Sequence, residues 1–289
     1  SFAALFATIN PGDEVILLEP FYPQHIGKIE LAGGVVVRAP LDRANGYSIN
    51  PDMIAPHITP RTRAIILVNP CNPTGRVYSR DELSALADLA IRHDLLVISD
   101  EVYEQILFDD ASHTSIASLP GMAERTITLF AFTKAYAMDG WRLGYACGPK
   151  DLMAGLLTVT SNEVTHVNTF IQYGALAAVT GDKGPLHGML AEDRRRRDQV
   201  VHALNQCPGV TCPLPQGAIY AFPDISGTGR RAQDIADALL EREGVVVEAG
   251  SFYGAAGEGH LRVCFGAESA DRLTMALERM RHFFNTLAS

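Results

Sequence analysis

The apolar positions in the first half of the chain form short runs, separated by stretches in which they recur with helical spacing. Short continuous apolar runs are typical of strands in a sheet that is covered on both faces. The predicted strands lie at 14–19, 35–37, 62–68, 95–99 and 126–130. Helices are predicted at 21–32 and 79–93, and Ser79 with Glu82 forms a capping box at the start of the second. This alternation predicts an α/β fold of three layers, with helices on both faces of a mostly parallel sheet.

The pattern changes in the second half of the chain, where long helical stretches are followed by shorter elements. Helices are predicted at 150–180, 186–205, 232–243 and 269–284, and short strands at 218–222, 245–247 and 260–265. A turn-forming run, GDKGP, interrupts the helical pattern at 181–185. We therefore expect a large domain over residues 1–182 and a smaller α+β domain over residues 183–289.

Charge and hydropathy argue against nucleic-acid and membrane partners. The chain has 289 residues, a net charge of −9 and an isoelectric point near 5.4, whereas binding to phosphate backbones needs clustered Lys and Arg. The one basic run, at 194–197, lies in a helical pattern and is interpreted as a solvated face with salt bridges. No apolar run approaches the ~18 residues that a membrane-spanning helix needs.

The cysteines and the start of the chain bear on its location and completeness. The five cysteines are scattered and odd in number, which suggests neither a disulfide framework nor a metal site and favours a reduced, cytoplasmic location. The chain opens without Met, shows no signal-peptide pattern, and begins in what reads as the last turns of a helix. We expect that an N-terminal segment precedes it.

Three polar residues, Asn72, Asp100 and Lys134, each follow a predicted strand. The carboxyl ends of parallel strands meet at one edge of a sheet, where ligands bind, so we expect these side chains to lie close together. Lys134 is the only charged residue between 126 and 138. Burying a lysine is costly, so Lys134 is either a functional amine or a side chain that reaches solvent from an apolar stem.

The run FTKAYAMDGWRLGY at 132–145 resembles the cofactor-attachment signature of class I/II aminotransferases, which are fold-type I enzymes, similar to aspartate aminotransferase, that use pyridoxal 5'-phosphate (PLP). The resemblance implies that Lys134 holds PLP as a Schiff base and that Arg142 binds the cofactor phosphate. Many members of that family have Ser three residues before the lysine, where this chain has Ala131. Thr133 or a missing loop is expected to replace that phosphate contact.

Two further motifs resemble elements of the same family that hold the cofactor ring. In NPCNPTG, at 69–75, the second Asn would bond the ring oxygen and also line the substrate site, which is the role implied for Asn72. In DEVY, at 100–103, Asp100 would pair with the pyridine nitrogen and Tyr103 would bond the ring oxygen. The alternatives are that Asn72 is a turn residue, Asp100 a helix N-cap and Tyr103 a core aromatic.

The last two matches concern ring stacking and the substrate. EPFYP, at 19–23, resembles the element that stacks an aromatic ring on PLP, which would be Tyr22. HLRVCF, at 260–265, resembles the strand whose arginine binds the substrate α-carboxylate, which would be Arg262. Tyr22 as a core aromatic and Arg262 in a surface salt bridge are the alternative interpretations.

The resemblance implies an aminotransferase that moves an amino group from an α-amino acid to a 2-oxo acid by a ping-pong mechanism. Lys134 would be its catalytic base, and the family's active site borders the interface of a homodimer. Two alternatives stay open: another fold-type I PLP enzyme, such as a carbon–sulfur lyase or a cyclopropane-forming synthase, and the aminotransferase-like effector domain of a transcription regulator. The amino donor is not identified by the sequence.

Overall fold

The main sheet of the computed structural model, which describes residues 1–288, has six strands. They are β1 (Glu14–Glu19), β2 (Val35–Pro40), β3 (Thr62–Val68), β4 (Leu96–Asp100), β5 (Thr126–Ala131) and β6 (Gly144–Cys147). Their order across the sheet is β2-β1-β3-β4-β5-β6, and all neighbours are parallel except β5 and β6. The predicted α/β fold with a mostly parallel sheet is confirmed. The antiparallel edge strand β6 was not predicted.

Nine α-helices surround this sheet and a second, smaller one in residues 1–288. They are α1 (Phe2–Thr8), α2 (Gln24–Leu31), α3 (Pro51–Ile54), α4 (Arg80–Arg92), α5 (Lys150–Glu163), α6 (Thr169–Thr180), α7 (Gly184–Leu204), α8 (Ala232–Ala238) and α9 (Ala270–Ala288). Helices α1, α2 and α5 pack on one face of the main sheet, and α3 and α4 pack on the other. The capping box at Ser79 and Glu82 is confirmed at the start of α4. No helix of this part of the chain is long and apolar enough to cross a membrane.

Strand β1 shows why the first half folds as three layers. All six of its residues are buried, and successive side chains of a strand point to opposite faces. Val15 and Leu17 join the core under α1 and α2, whereas Ile16 and Leu18 join the core under α3 and α4. The four apolar residues at the centre of β1 thus contribute to two cores at once.

The second half contains a three-stranded antiparallel sheet, with β9 (Leu261–Cys264) between β7 (Tyr220–Ala221) and β8 (Glu248–Ala249). The strand predicted at 245–247 was wrong by position, because pairing with β9 begins only at Glu248, in β8. The helix predicted over 150–180 is divided into α5 and α6, and the break contains Thr165 with a positive φ of 62°.

Candidate active site

A cavity of about 190 Å³ lies at the carboxyl ends of β3, β4 and β5. It is lined by Tyr22, Val68, Asn72, Asp100, Val102, Tyr103, Ala131, Thr133, Lys134 and Tyr220. Six of the predicted site residues therefore meet here, because the strand ends that carry them are adjacent in the parallel sheet. Arg142 and Arg262 are not among the lining residues.

Lys134 lies in a tight turn directly after β5. Backbone hydrogen bonds from Ala137 to the Lys134 carbonyl and from Met138 to the Phe132 carbonyl hold this turn. Phe132 and Met138 are buried together beneath it, which fixes the backbone that carries the lysine. The half-buried amine lines the cavity, with its Nζ 5.9 Å from the centre of the Tyr103 ring.

Asp100, the last residue of β4, presents a carboxylate oxygen that lacks a partner. Its Oδ1 is buried and accepts no hydrogen bond from residues 1–288. Burial raises the pKa of Asp100, and the positive charge of Lys28 lowers it in part. A buried oxygen without a donor is unfavourable, so this position suits a ligand that brings a cationic N–H group.

His25 is a site residue that the sequence interpretation missed. Its ring is fully buried, and its Nε2 lies 3.6 Å from Oδ2 of Asp100. Burial, followed by the charge of Lys28, lowers the pKa of His25 to about 3, so the imidazole is neutral. The ring also contacts Tyr22 edge-on at 5.4 Å. The spacing of three residues between Tyr22 and His25 was the one available signal.

The buried neutral His25 should make the folded protein less stable in acid. Its pKa is about 3 when folded against 6.5 for the free side chain, so the unfolded chain binds the proton more tightly. The contribution of buried, neutral His25 to the free energy of unfolding is present above pH 6.5 and is lost as the pH falls towards 3. Between neutral pH and pH 4, the free energy of unfolding should fall by about 3 kcal/mol less in His25→Gln than in the wild type. Urea unfolding at a series of pH values measures the two curves.

The exposed His166 provides the matched control for this prediction. His166→Gln should follow the wild-type curve, because this exposed side chain is in contact with water in both the folded and the unfolded chain. Parallel curves for His25→Gln and the wild type would contradict the assignment of a neutral His25.

Two tyrosines close the side of the cavity that faces the second half of the chain. The hydroxyl of Tyr103 lies 3.0 Å from that of Tyr220. Burial raises the pKa of Tyr103, and the neighbouring Tyr220 raises it further, so the phenol keeps its proton and can donate a hydrogen bond. Tyr220 lies in a predicted strand, but nothing in the sequence near it indicated a site residue.

The turn after β3 brings Asn72 and Tyr220 together. Gly75 in this turn has a φ of 69°, and a Cβ there would lie 2.8 Å from the Tyr220 carbonyl oxygen and 2.6 Å from Cβ of Pro215. Glycine therefore allows both the left-handed turn and the close approach of the segment that carries Tyr220. Asn72 is buried, and its Oδ1 accepts a hydrogen bond of 3.2 Å from Nη1 of Arg262.

Arg262 reaches the edge of the cavity through this bond. Its guanidinium lies over the rings of Tyr220, at 4.3 Å, and Tyr253, at 5.2 Å. Its Nη2 lies 2.6 Å from Glu248, which sequence reasoning also missed. Arg262 is thus both a neighbour of Asn72 and one partner of a salt bridge, so the structure is compatible with the substrate role that the resemblance implied and with the alternative interpretation.

Arg142 is the predicted site residue that the structure does not bring to the cavity. Its side chain is exposed, and it donates a hydrogen bond of 2.7 Å to the carbonyl of Asp139. A second cavity, of about 710 Å³, is lined by Asp139, Lys134 and Thr133 among others. The turn that carries Arg142 therefore borders this larger space rather than the cavity around Asp100.

A buried network supports the strand end that carries Asp100. Glu101 accepts hydrogen bonds from the hydroxyls of Ser99, at 2.7 Å, and Ser115, at 2.8 Å. Its other oxygen lies 2.8 Å from Nε2 of His113. These contacts leave Glu101 satisfied, in contrast to Asp100 beside it. Within residues 1–288, no group of His, Cys, Asp and Glu side chains is placed to hold a metal ion.

Comparison with known proteins gives a consistent result. The sequence model described as aminotransferase class I and II matches residues 1–280. The chain is 42% identical over 254 residues to an aspartate aminotransferase of Musicola paradisiaca, covering 88% of this chain. It is 42% identical over 269 residues to an arginine–pyruvate transaminase of Pseudomonas aeruginosa, covering 92% of this chain and 68% of that protein. An aromatic aminotransferase structure from Pyrococcus horikoshii superposes with a TM-score of 0.95 at 38% identity, covering 99% of this chain and 76% of that one.

The chain is shorter than these relatives. It spans 64% of the length of the Musicola protein, which is less than two thirds.

Proposed function

Because the chain belongs to the class I and II aminotransferases, we propose that it is a PLP-dependent enzyme that transfers the amino group of an α-amino acid to a 2-oxo acid. The observation that carries this proposal is that one small cavity is lined both by Lys134 and by Asp100, whose buried Oδ1 has no hydrogen-bond partner. Two half-reactions at this one site would give ping-pong kinetics.

The lining residues fit PLP. Asp100 offers its free oxygen to a protonated pyridine nitrogen, and a cation there would favour the carboxylate that burial disfavours. The ring of Tyr22 lines the same cavity and offers a flat surface for stacking. Asn72 and the protonated phenol of Tyr103 are placed to bond a ring oxygen, and the Thr133 hydroxyl is available to a phosphate. The role of Arg142 in phosphate binding remains a prediction.

Each of these residues has a defined task in the proposed reaction. Bound PLP supplies an electron sink for the electron pair left behind when the Cα–H bond of an amino acid breaks. Lys134 would hold the cofactor through its amine and would act as the base that moves the proton at Cα of the substrate. Arg262 binds the substrate α-carboxylate with its planar fork of N–H donors. The network around Glu101 holds the end of the strand that carries Asp100, and neutral His25 packs beside the Asp100 carboxylate.

An absorbance experiment tests this function directly. The purified protein with added PLP should show a visible band, and borohydride should attach the cofactor irreversibly to the peptide that contains Lys134. A mixture of amino acids should convert the band to that of the amine form, with release of 2-oxo acids. A trapped band that no amino acid changes would contradict the proposal, and release of sulfide or ammonia with pyruvate would favour the lyase alternative.

The amino donor is not determined by the comparisons. The names of the relatives refer to aspartate, to aromatic amino acids and to arginine with pyruvate. The α-carboxylate that Arg262 would bind is common to all of these compounds. Identification of the donor therefore depends on other side chains at the site.

We further propose that the protein is a homodimer. Large apolar side chains on α5, α6 and the loop between them are exposed, and contiguous apolar surface of this kind is typical of protein interfaces. They are Leu157, Val164, Phe170, Tyr173, Leu176 and Val179. Trp141 and Tyr145, in the 132–145 motif, are also exposed. Sedimentation of the purified protein as a monomer would contradict this proposal.

The domain boundary and the location are also proposals. All strands of the main sheet lie before residue 182 and all strands of the small sheet lie after it, which supports domains over 1–182 and 183–289. Preferred proteolytic cleavage far from 181–185 would count against this division. The five cysteines are free, which supports a reducing, cytoplasmic location. Recovery of the native protein from a secreted fraction would contradict it.

A further inference from the structure

The predicted substrate arginine already has a carboxylate beside it. Glu248 on β8 and Arg262 on β9 are directly opposite each other in an antiparallel pair, so their side chains lie on the same face of the small sheet. Oε2 of Glu248 lies 2.6 Å from Nη2 of Arg262. The side chain of Glu248 is 42% exposed, against 15% for Arg262, so the acid lies on the more open side of the pair.

The surroundings hold this acid in place. The hydroxyl of Tyr253 donates a hydrogen bond to the same oxygen of Glu248 that contacts Arg262. Tyr253 and Tyr220 lie on the guanidinium, and Tyr220 lines the cavity of Lys134. Glu248 is therefore a fixed part of the wall beside the proposed amino-acid site rather than a mobile surface group.

The guanidinium has room for a second carboxylate. An arginine side chain carries five N–H donors. One on Nη1 is used by Asn72 and one on Nη2 by Glu248, while the buried Nε has no partner among residues 1–288. When a substrate α-carboxylate binds to the remaining donors, one positive charge faces two negative ones. Arg262, Glu248 and the bound α-carboxylate together then have a net negative charge.

The net negative charge of this cluster distinguishes amino acids by the charge of their side chains. The side chain of an α-amino acid leaves the carbon next to the α-carboxylate, so the second carboxylate of aspartate would lie within about 8 Å of this cluster. Like charges at that separation inside a protein repel enough to weaken binding by about tenfold or more. A neutral side chain avoids this repulsion, and a basic one is attracted.

Building on the proposed function, we propose that Glu248 is a specificity-determining residue, which disfavours donors with a second carboxylate and favours donors with neutral or basic side chains. The competing interpretation is that Glu248 only orients Arg262. That role would affect all amino acids to the same degree, since all present the same α-carboxylate. The ratio between donors therefore separates the two interpretations.

The test compares Glu248→Gln with the wild type, both loaded with PLP. Rates of the half-reaction are measured with L-aspartate, L-alanine and L-arginine. We expect kcat/KM for aspartate relative to alanine to rise about tenfold in the variant, and the value for arginine relative to alanine to fall. Glu278→Gln, which removes an exposed carboxylate on α9, should leave both ratios unchanged. Equal changes for all three donors, or unchanged ratios, would overturn the proposal.

A binding measurement makes the test independent of turnover. Calorimetry on the protein without cofactor gives the dissociation constants of succinate and propionate. In Glu248→Gln, binding of succinate should tighten about tenfold relative to propionate. This readout applies even if the wild type reacts with no amino acid, an outcome that would reject the proposed function alone. An unchanged ratio of the two constants would reject the role of Glu248.

Discussion

Replacement of Lys134 by alanine should abolish covalent attachment of PLP and reduce turnover by at least about 10⁴-fold. The reason is that one amine has two tasks, since it anchors the cofactor and moves the substrate proton, and a positioned base alone contributes up to about 10⁴-fold. Lys134 is the only lysine that lines the cavity around Asp100. Borohydride treatment followed by peptide mass analysis measures attachment, and release of 2-oxo acid measures turnover.

The control for this prediction is Lys150→Ala, since Lys150 is an exposed residue at the start of α5. It should retain both attachment and turnover. Retained turnover in Lys134→Ala would remove the lysine from the mechanism, even if attachment were lost. A labelled peptide other than that of Lys134 in the wild type would reassign the anchor.

Replacement of Asp100 by asparagine should preserve cofactor binding but lower kcat/KM by about 10²- to 10³-fold. The carboxylate that lacks a partner in the cavity would pair with a protonated pyridine nitrogen, and breaking a buried ion pair costs about 3–5 kcal/mol. Asparagine keeps the size of the side chain but brings no charge to hold that proton. Retained PLP is measured by absorbance after gel filtration, and kcat/KM by the half-reaction.

Asp88→Asn makes the same chemical change at an exposed position on α4 and should behave as the wild type. An unchanged rate in Asp100→Asn would show that the ring nitrogen needs no carboxylate partner. Loss of both PLP and secondary structure would instead indicate that Asp100 supports the fold.

Elements that depend on nearby residues were predictable from the sequence. Strand β1 has a continuous apolar run at its four central positions, and that run is sufficient to predict a strand buried on both faces. Helix α4 carries its own start signal, since Ser79 and Glu82 satisfy backbone donors within one turn. The capping box and the buried strand are therefore local features with local causes.

Elements that depend on distant partners were not predictable. Strand β6 begins at the end of the 132–145 motif, and its antiparallel pairing with β5 depends on the turn that presents Lys134. The break between α5 and α6 occurs without Pro or Gly, the residues that normally mark the end of a helix. The short strand β8 was misplaced because its register is set by β9 across the sheet.

The candidate site also contains residues that were predictable from nearby sequence and residues that were not. Asn72, Asp100 and Lys134 follow apolar strands. Because ligands bind at the carboxyl ends of parallel strands, the sequence predicted that these residues lie close together, and all three line the same cavity. Glu248 and Tyr220 come from the small sheet, and their approach depends on how that sheet packs against the turn at Gly75. A single sequence contains no signal for such a meeting of distant segments.

The contacts between the segment after Tyr103 and strand β7 determine when the cavity forms as the chain is synthesised. Ile106 accepts a backbone hydrogen bond of 3.0 Å from Ala218, and Tyr103 is buried in the core of the small sheet. A ribosome releases the N-terminal strands first, so the main sheet can pair while β7 is still inside the tunnel. Arg262 emerges later still. Cofactor binding at the proposed site would therefore have to wait until β7 and β9 have left the ribosome.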